Sequence, residues 1–250
     1  MKYLLIYVTL VTASAVAQAD TPAFDRPGIA FSTHTLPVGT MDWEQGLPDV
    51  VHDNQQGTSS TLFSANTRLR VGLTSALELQ LADALYNRLR TRADDTTTVD
   101  KGYGDLTIAM KLAPWSPLQN VSWALLGSVT LNTGNESFRN DTKLYSLAGS
   151  ASVHISDDRA LGFLASVTRA GTDNSYSLSP NFGWTLNNSC GAYVEAGYTF
   201  GDHIENDEVA GGGVTWMASN TVQLDIYALH GLTSRSTTLQ AGIGFSVYFP

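Results

Sequence analysis

The sequence has 250 residues, a formal net charge of −9, one cysteine, 43% hydrophobic residues and only 15% charged ones. The acidic balance argues against nucleic acid as a partner, because phosphate binding needs clustered Lys and Arg, and the single Cys190 excludes an intramolecular disulfide. The charge content is below the roughly 25% of a soluble domain, and no long apolar run follows residue 19. This combination is typical of a barrel that alternates apolar and small polar residues.

The chain begins with a segment typical of a secretory signal peptide. Lys2 provides a positive start, and residues 3–16 are apolar apart from Thr9, Thr12 and Ser14. Residues 17–19 (Ala-Gln-Ala) are suited to signal-peptidase cleavage. The apolar run is shorter than the ~20 residues of a transmembrane helix. We therefore predict a cleaved signal peptide over residues 1–19 and a mature chain that starts at Asp20.

Residues 20–40 form an N-terminal segment that precedes the first predicted strand and contains Pro22, Pro27 and Pro37. Two placements are open for it: inside a barrel as a lumen plug, or in the wall as an additional strand. We favour the lumen plug.

Residues 41–250 show a dominant period of two. For example, Trp123, Leu125, Gly127, Val129 and Leu131 alternate with Ser122, Ala124, Leu126, Ser128 and Thr130. Because successive side chains on a strand point to opposite faces, each segment has an apolar face and a small-polar face. The pattern predicts an all-β fold, a transmembrane antiparallel β-barrel of about 12 strands. They are placed at 41–47, 60–71, 76–86, 104–112, 121–132, 143–155, 160–170, 175–186, 190–200, 208–217, 221–229 and 236–249.

The lengths of the predicted connections alternate along the chain. Long connections fall at 48–59, 87–103 and 133–142, and short ones fall at 72–75, 156–159, 187–189 and 218–220. Outer-membrane barrels have short periplasmic turns and longer outer loops. Most predicted strands also approach the ~9–11 residues that cross a membrane when tilted, so the pattern indicates a barrel in the bacterial outer membrane.

The last predicted strand carries a separate signal. Apolar residues alternate along residues 236–249 as far as Phe249. Outer-membrane barrels commonly end on such an aromatic residue, which the barrel-assembly machinery recognises, although here Pro250 follows. We therefore expect two partners besides solute: the assembly machinery and outer-membrane lipid.

Several short motifs stand out in the mature chain. They are Asp25-Arg26-Pro27-Gly28, Ser32-Thr33, Leu36-Pro37-Val38-Gly39, Trp43-Glu44-Gln45-Gly46, Arg68-Leu69-Arg70-Val71-Gly72-Leu73 with Glu78, and Gly102-Tyr103-Gly104-Asp105-Leu106. Together they resemble a family of outer-membrane proteins named for the meta-pathway of phenol degradation, whose members are often labelled transporters. In that family a Gly-Asp pair likewise opens a strand ending in a basic residue, here Lys111. The resemblance implies a barrel with a transport role but supplies neither a substrate nor functional residues.

The residues that face the lumen can be predicted from those that face lipid. If Trp123, Phe182 and Phe245 face lipid, alternation directs the polar side chains of the strands into the lumen. Candidates for a solute path are Arg68, Arg70, Glu78, Asp105, Lys111, Tyr193, Glu195, Asp225 and Tyr227, with Gln80, Asn181, Gln223 and Gln240 on the same face. Two interpretations stay open: opposed charges that select solutes, or salt bridges that fill a narrow barrel.

The family resemblance, together with the charged residues predicted for the lumen, implies a passive channel or transporter for small solutes, aromatic or hydrophobic ones included. The alternatives are a structural or surface-interaction barrel without transport, and an outer-membrane enzyme that modifies lipid. The enzyme would depend on His154 and Ser156, spaced as in some twelve-stranded outer-membrane phospholipases. The pair lacks the flanking Asn-Gly and falls at the predicted periplasmic end, so we predict no enzymatic activity.

The sequence also predicts no metal site and no cofactor. The remaining histidines, which are His34, His52, His203 and His230, form no cluster with ligand spacing. The acidic run 202–208 does not have the spacing of a calcium loop and is interpreted as a solvated outer loop.

Overall fold

The computed structural model describes residues 23–55 and 57–250, and the predicted signal peptide lies outside them. The strands are β1 (Met41–Gln55), β2 (Thr58–Gly72), β3 (Leu77–Ala93), β4 (Thr96–Gly102), β5 (Thr107–Leu112), β6 (Val121–Thr130), β7 (Leu144–Ser156), β8 (Arg159–Ala170), β9 (Asp173–Thr185), β10 (Cys190–Gly201), β11 (Asp207–Ser219), β12 (Val222–Gly231) and β13 (Leu239–Phe249). A short 3-10 helix spans Glu136–Phe138. In the described part of the chain, no helix has the length and apolar character needed to cross a membrane.

The strands form one antiparallel sheet that closes on itself. Strand β13 pairs with β1, from Met41 opposite Phe249 to His52 opposite Leu239. Strand β3 pairs with β2 along one edge, and along its other edge with β4 and then β5. Because β4 and β5 share one position around the sheet, the thirteen strands make a closed 12-stranded barrel, which confirms the predicted fold class.

Alternation along each strand separates an outer apolar surface from an inner polar one. On β6 and β7, Ala124 and Ser150 are buried inside, whereas Leu125 and Leu147 are exposed on the outside. Neighbouring strands match in register, since Leu125 lies opposite Gly149 and Ala124 opposite Ser150. The structure therefore has the inverted pattern of a membrane barrel, in which apolar side chains face outward.

Two predicted loops are strands in the structure. Most of 48–59 belongs to β1 and β2, and most of 87–103 belongs to β3 and β4. These extensions are polar on both faces, so no apolar alternation marks them, but their backbones pair in ladders as far as Gln55 opposite Thr58 and Ala93 opposite Thr96. The predicted loop 133–142 does lack strand structure.

The two ends of the barrel are distinguished by their connections. The end called here the turn end carries the connections 73–76, 113–120, 157–158, 186–189 and 220–221, together with the start of β1 and the end of β13. The opposite end, the loop end, carries the long hairpins and the loop 131–143. In outer-membrane barrels the end with short turns faces the periplasm.

A β-bulge in β1 determines which side chains enter the lumen. The register shifts between Gly46 and Asp49, on both the β13 side and the β2 side. A bulge inserts one extra residue and re-aims the following side chains. Glu44 before the bulge and Asp49 after it are consequently both buried inside, although they are five positions apart.

Candidate functional site: a charged lumen crossed by the N-terminal segment

Residues 23–40, called the N-terminal segment below, form no strand; residues 23–36 lie inside the barrel, and residues 37–39 are exposed at its turn end. Their hydrogen bonds reach strands on several sides of the lumen. The contacts are Arg70 Nη1 to the Ala23 carbonyl (3.0 Å), Ile29 N to Glu195 Oε2 (2.9 Å), Ser150 Oγ to the Phe31 carbonyl (2.9 Å) and Leu36 N to Glu78 Oε2 (2.8 Å). Because these strands surround the lumen, the segment crosses it rather than following one wall.

Arg70 on β2 lies at the centre of the largest charge cluster. Its guanidinium binds Glu78 through two bonds, Nε to Oε1 at 2.8 Å and Nη2 to Oε2 at 3.0 Å. Nη1 donates to Asp42 at 2.9 Å and to Glu44 at 3.0 Å. All four residues are essentially fully buried. A guanidinium offers five donors in a planar fork, and this one is surrounded by carboxylates.

Asp25 connects the N-terminal segment to this cluster. Its Oδ1 accepts a hydrogen bond from Lys111 Nζ at 2.8 Å, and Oδ2 accepts one from Gln80 Nε2 at 2.9 Å. Arg70 and Arg68 lie 3.6 Å from Oδ2. Three basic side chains of the wall therefore converge on one carboxylate of the segment.

Arg26, the next residue, binds the neighbouring part of the wall, formed by β1 and β12. It forms two hydrogen bonds with Asp49 of β1, at 3.0 and 3.1 Å, and pairs with Asp225 of β12 at 3.1 Å. Tyr227 donates its hydroxyl to Asp49 at 3.2 Å. Gly244 makes this geometry feasible, since a Cβ there would lie 2.5 Å from the guanidinium.

Glu195 and Tyr193 on β10 face the segment at Gly28. Glu195 Oε2 accepts the hydrogen bond from Ile29 N, while Glu195 Oε1 and the Tyr193 hydroxyl are buried without a hydrogen-bond partner among the described residues. Gly28 has a positive φ of 116°, and a Cβ there would lie 3.4–3.5 Å from the Glu195 carboxylate and the Tyr193 ring. The segment, the carboxylate and the ring therefore meet at one narrow point.

Phe31 provides the apolar contact of the segment. It is buried with Ala124, Ala148 and Leu164, small or branched side chains that face inward from β6, β7 and β8. Lys111 Nζ lies 5.5 Å from the centre of the Phe31 ring, within cation–π range. The segment is thus held by charge on two sides and by apolar packing on a third.

Cavities remain on both sides of the crossing. One of about 460 Å³ extends toward the loop end and is lined by Arg26, Gly28, Asp105, Glu195 and Tyr227 among others. Another of about 320 Å³ extends toward the turn end and is lined by Phe24, Phe31, His154, Tyr193 and Glu195 among others. Both are lined by Gly28 and Glu195, so the two spaces approach each other at that point.

The structure brings together most of the candidates predicted for the lumen. Arg68, Arg70, Glu78 and Lys111 share the Asp25 cluster. Asp225 and Tyr227 lie in the Arg26 cluster, and Tyr193 and Glu195 lie at Gly28.

Asp105 has a different setting from the other candidates. It accepts hydrogen bonds from the backbone N–H groups of Gly134 and Asn140 and from the Asn140 side chain, at 2.7–2.8 Å. Its carboxylate therefore anchors the loop 131–143, although it also borders the cavity on the loop side.

Five charged residues of these clusters are not among the candidates predicted from the sequence. They are Asp25, Arg26, Asp42, Glu44 and Asp49. Alternation within β1 would have found Asp42 and Glu44, which point to the same face. Asp49 lies beyond the bulge, and Asp25 and Arg26 lie outside any strand, so no periodicity marks them.

The His154–Ser156 pair does not have catalytic geometry. Both residues lie at the turn end of β7, and the Ser156 hydroxyl donates to Asp158 at 2.6 Å rather than to an imidazole. This hydrogen bond lowers the pKa of the exposed Asp158 carboxyl. Within residues 23–55 and 57–250, no group of three or more His, Cys, Asp or Glu side chains is arranged to hold a metal ion.

The fold and the lumen define a class: a closed 12-stranded antiparallel barrel with an outer apolar surface and a polar interior crossed by the N-terminal segment. The family described as "Putative MetA-pathway of phenol degradation" matches residues 24–249, and the chain belongs to that family. This confirms the resemblance found in the sequence. No curated protein matches the sequence.

Solved outer-membrane proteins share the fold at low identity. The COG4313 outer membrane channel from Pseudomonas putida F1 is 16% identical, with a TM-score of 0.65 over 90% of this chain and 99% of that one. The KdgM porin is 12% identical, with a TM-score of 0.54 over 84% and 99%. The NanC porin is 8% identical, with a TM-score of 0.53 over 84% and 99%. At these identities the likeness concerns the fold alone.

Proposed function

We propose that this protein is a passive channel of the bacterial outer membrane for small solutes, aromatic and hydrophobic ones included. The observation that carries the proposal is the pair of cavities, about 460 and 320 Å³, that approach each other at Gly28 and Glu195. A 12-stranded barrel lies between the packed interior of eight strands and the aqueous channel of sixteen. Its lumen is therefore wide enough to hold both the N-terminal segment and solvent-sized space beside it.

Family membership and fold support the same proposal. The family description refers to phenol degradation, and solved neighbours are described as an outer membrane channel and as porins. The exposed apolar outer face suits hydrocarbon, and the aromatic Phe249 at the end of β13 is available to the assembly machinery. In this proposal the N-terminal segment is a plug that narrows the path, and residues 1–19 direct export.

A structural or surface-interaction barrel is the second candidate. The observation that favours it is the number of ion pairs that tie the segment to the wall, which include Arg26 with two carboxylates and Asp25 with three basic groups. A segment held this firmly would close the lumen. Nothing in the geometry of His154 and Ser156 favours an enzyme over either candidate.

Planar-bilayer conductance of the refolded mature protein separates the two candidates. We expect discrete ion currents, together with swelling of proteoliposomes in isosmotic solutions of small neutral aromatic solutes. Empty liposomes control for the direct permeation of such solutes through lipid. The absence of both current and protein-dependent swelling, from protein that shows the gel shift of a folded barrel, would exclude the channel and favour the structural barrel.

A further inference from the structure

The cavity on the turn side of Gly28 combines two chemical features. The first is an unpaired carboxylate oxygen: Glu195 is 5% exposed, and its Oε1 has no hydrogen-bond partner among the described residues. The second is a set of aromatic rings on the same cavity, those of Phe24, Phe31 and Tyr193. A buried polar group without a partner carries a substantial free-energy penalty, which a bound ligand would remove.

Glu195 differs from the other buried carboxylates of the lumen. Those carboxylates belong to Asp25, Asp42, Glu44, Asp49, Glu78 and Asp225, and each pairs with Arg26, Arg70 or Lys111. Glu195 forms no ion pair within the described part of the chain, and its one hydrogen bond comes from the backbone of Ile29. No basic side chain of the described residues therefore pairs with its carboxyl group.

The balance of charge around the cavity favours a cation. Seven carboxylates are buried inside the barrel, against the buried Arg70 and Lys111 and the partly buried Arg26 and Arg68. A cation in a space lined by aromatic rings also gains from cation–π attraction. The cavity lining contains the imidazoles of His34 and His154 but no Arg or Lys side chain, so an anion would meet Glu195 with no guanidinium or ammonium group to bind it.

We infer that this cavity is a binding subsite for small organic ammonium ions that carry an aromatic ring. The ammonium group donates to Glu195 Oε1, and the ring packs between Phe24, Phe31 and Tyr193. The cavity volume of about 320 Å³ accommodates one ring with a short side chain. The subsite deepens the proposed function by naming a solute class, and its role in permeation rests on the channel, whereas binding itself does not.

The probes are benzylammonium, benzyl alcohol and benzoate, which have similar size and differ in charge. Calorimetry on the refolded protein in detergent measures binding without any requirement for conductance. We expect benzylammonium to bind more tightly than the alcohol, and benzoate not to bind. Glu195→Gln keeps the side-chain shape and an oxygen for Ile29 N, and should weaken benzylammonium binding by about 10- to 100-fold, the value of a hydrogen bond to a charged group.

The matched control is Glu205→Gln, which changes an exposed carboxylate in the connection between β10 and β11, and should leave binding as in the wild type. Equal binding of benzoate and benzylammonium, or unchanged affinity in Glu195→Gln, would overturn the inference. If Glu195→Gln does not fold, the wild-type comparison of the three probes still decides the matter. Selective binding by a protein that shows neither current nor protein-dependent swelling would support the subsite and refute the channel, so the two failures are distinguishable.

Discussion

Replacing Asp25 by Asn should release the N-terminal segment from the wall of β2, β3 and β5. The carboxylate is buried and lies 2.8 Å from Lys111 Nζ and 3.6 Å from both Arg70 and Arg68. Removing one partner of a buried ion pair is destabilising by about 3–5 kcal/mol, because the other charge remains buried. If that free energy acts on the docked state of the segment, its docking equilibrium weakens roughly 100- to 5,000-fold.

Single-channel recording provides the assay. The open fraction and the conductance of Asp25→Asn should both exceed those of the wild type at the same voltage and salt concentration. Asp95→Asn, an exposed carboxylate in the turn between β3 and β4, is the matched control and should behave like the wild type. Recordings of Asp25→Asn that match those of Asp95→Asn would show that Asp25 does not hold the segment in place.

Three further predictions concern packing, the lipid face and the loop end. Phe31→Ala should lower the free energy of unfolding by roughly 3–5 kcal/mol, the range for a buried Phe, in urea titrations followed by tryptophan fluorescence. Leu147→Arg, on the exposed outer face of β7, should make folding into lipid vesicles less favourable by roughly 2–4 kcal/mol. Asp105→Ala should free the loop 131–143, which trypsin would then cleave faster at Arg139.

Each of these predictions has a matched control. Phe138→Ala removes a partly exposed ring from the loop and should change unfolding much less than Phe31→Ala. Leu147→Ala keeps the outer face apolar, so a similar loss for Ala and Arg would contradict a lipid-facing position. Asp100→Ala is the control for Asp105→Ala, because it removes only one 3.4 Å contact, from the Ser137 hydroxyl. Equal trypsin sensitivity of the Asp100 and Asp105 variants would argue against the anchoring role of Asp105.

The barrel was predictable because its physical cause is local and repeated. Each strand has to bury one face and expose the other, so apolar and small or polar residues alternate with a period of two along its sequence. The buried Ala124 and the exposed Leu125 are an example. The hairpin extensions of β1–β2 and β3–β4 were not predictable in this way. Both of their faces meet water, so they are maintained by backbone pairing and by polar side-chain contacts such as His52 Nδ1 to Thr61 Oγ1 (2.9 Å), which leave no hydropathy pattern.

The lumen was predictable in part for the same reason. Side chains on regular strands, such as Arg70, Glu78 and Lys111, follow from alternation once the outer face is known. Their partners on the N-terminal segment do not, because Asp25 and Arg26 lie in a stretch without periodicity. Only the three-dimensional path of that stretch shows that these two adjacent residues, of opposite sign, bind two different charge clusters of the wall.

The contacts of Arg26 have a consequence for the order of assembly. Asp49 belongs to β1 and Asp225 to β12, the two strands that flank β13, so the guanidinium bridges the seam where the first and last strands meet. The ion pairs of Arg70 need no residue beyond Lys111 and can form while the sheet is still open. Arg26 can reach both of its partners only when the C-terminal strands arrive. The Arg26 ion pairs therefore join the N-terminal segment to both flanks of the seam only in the last step of barrel closure, when β13 pairs with β1.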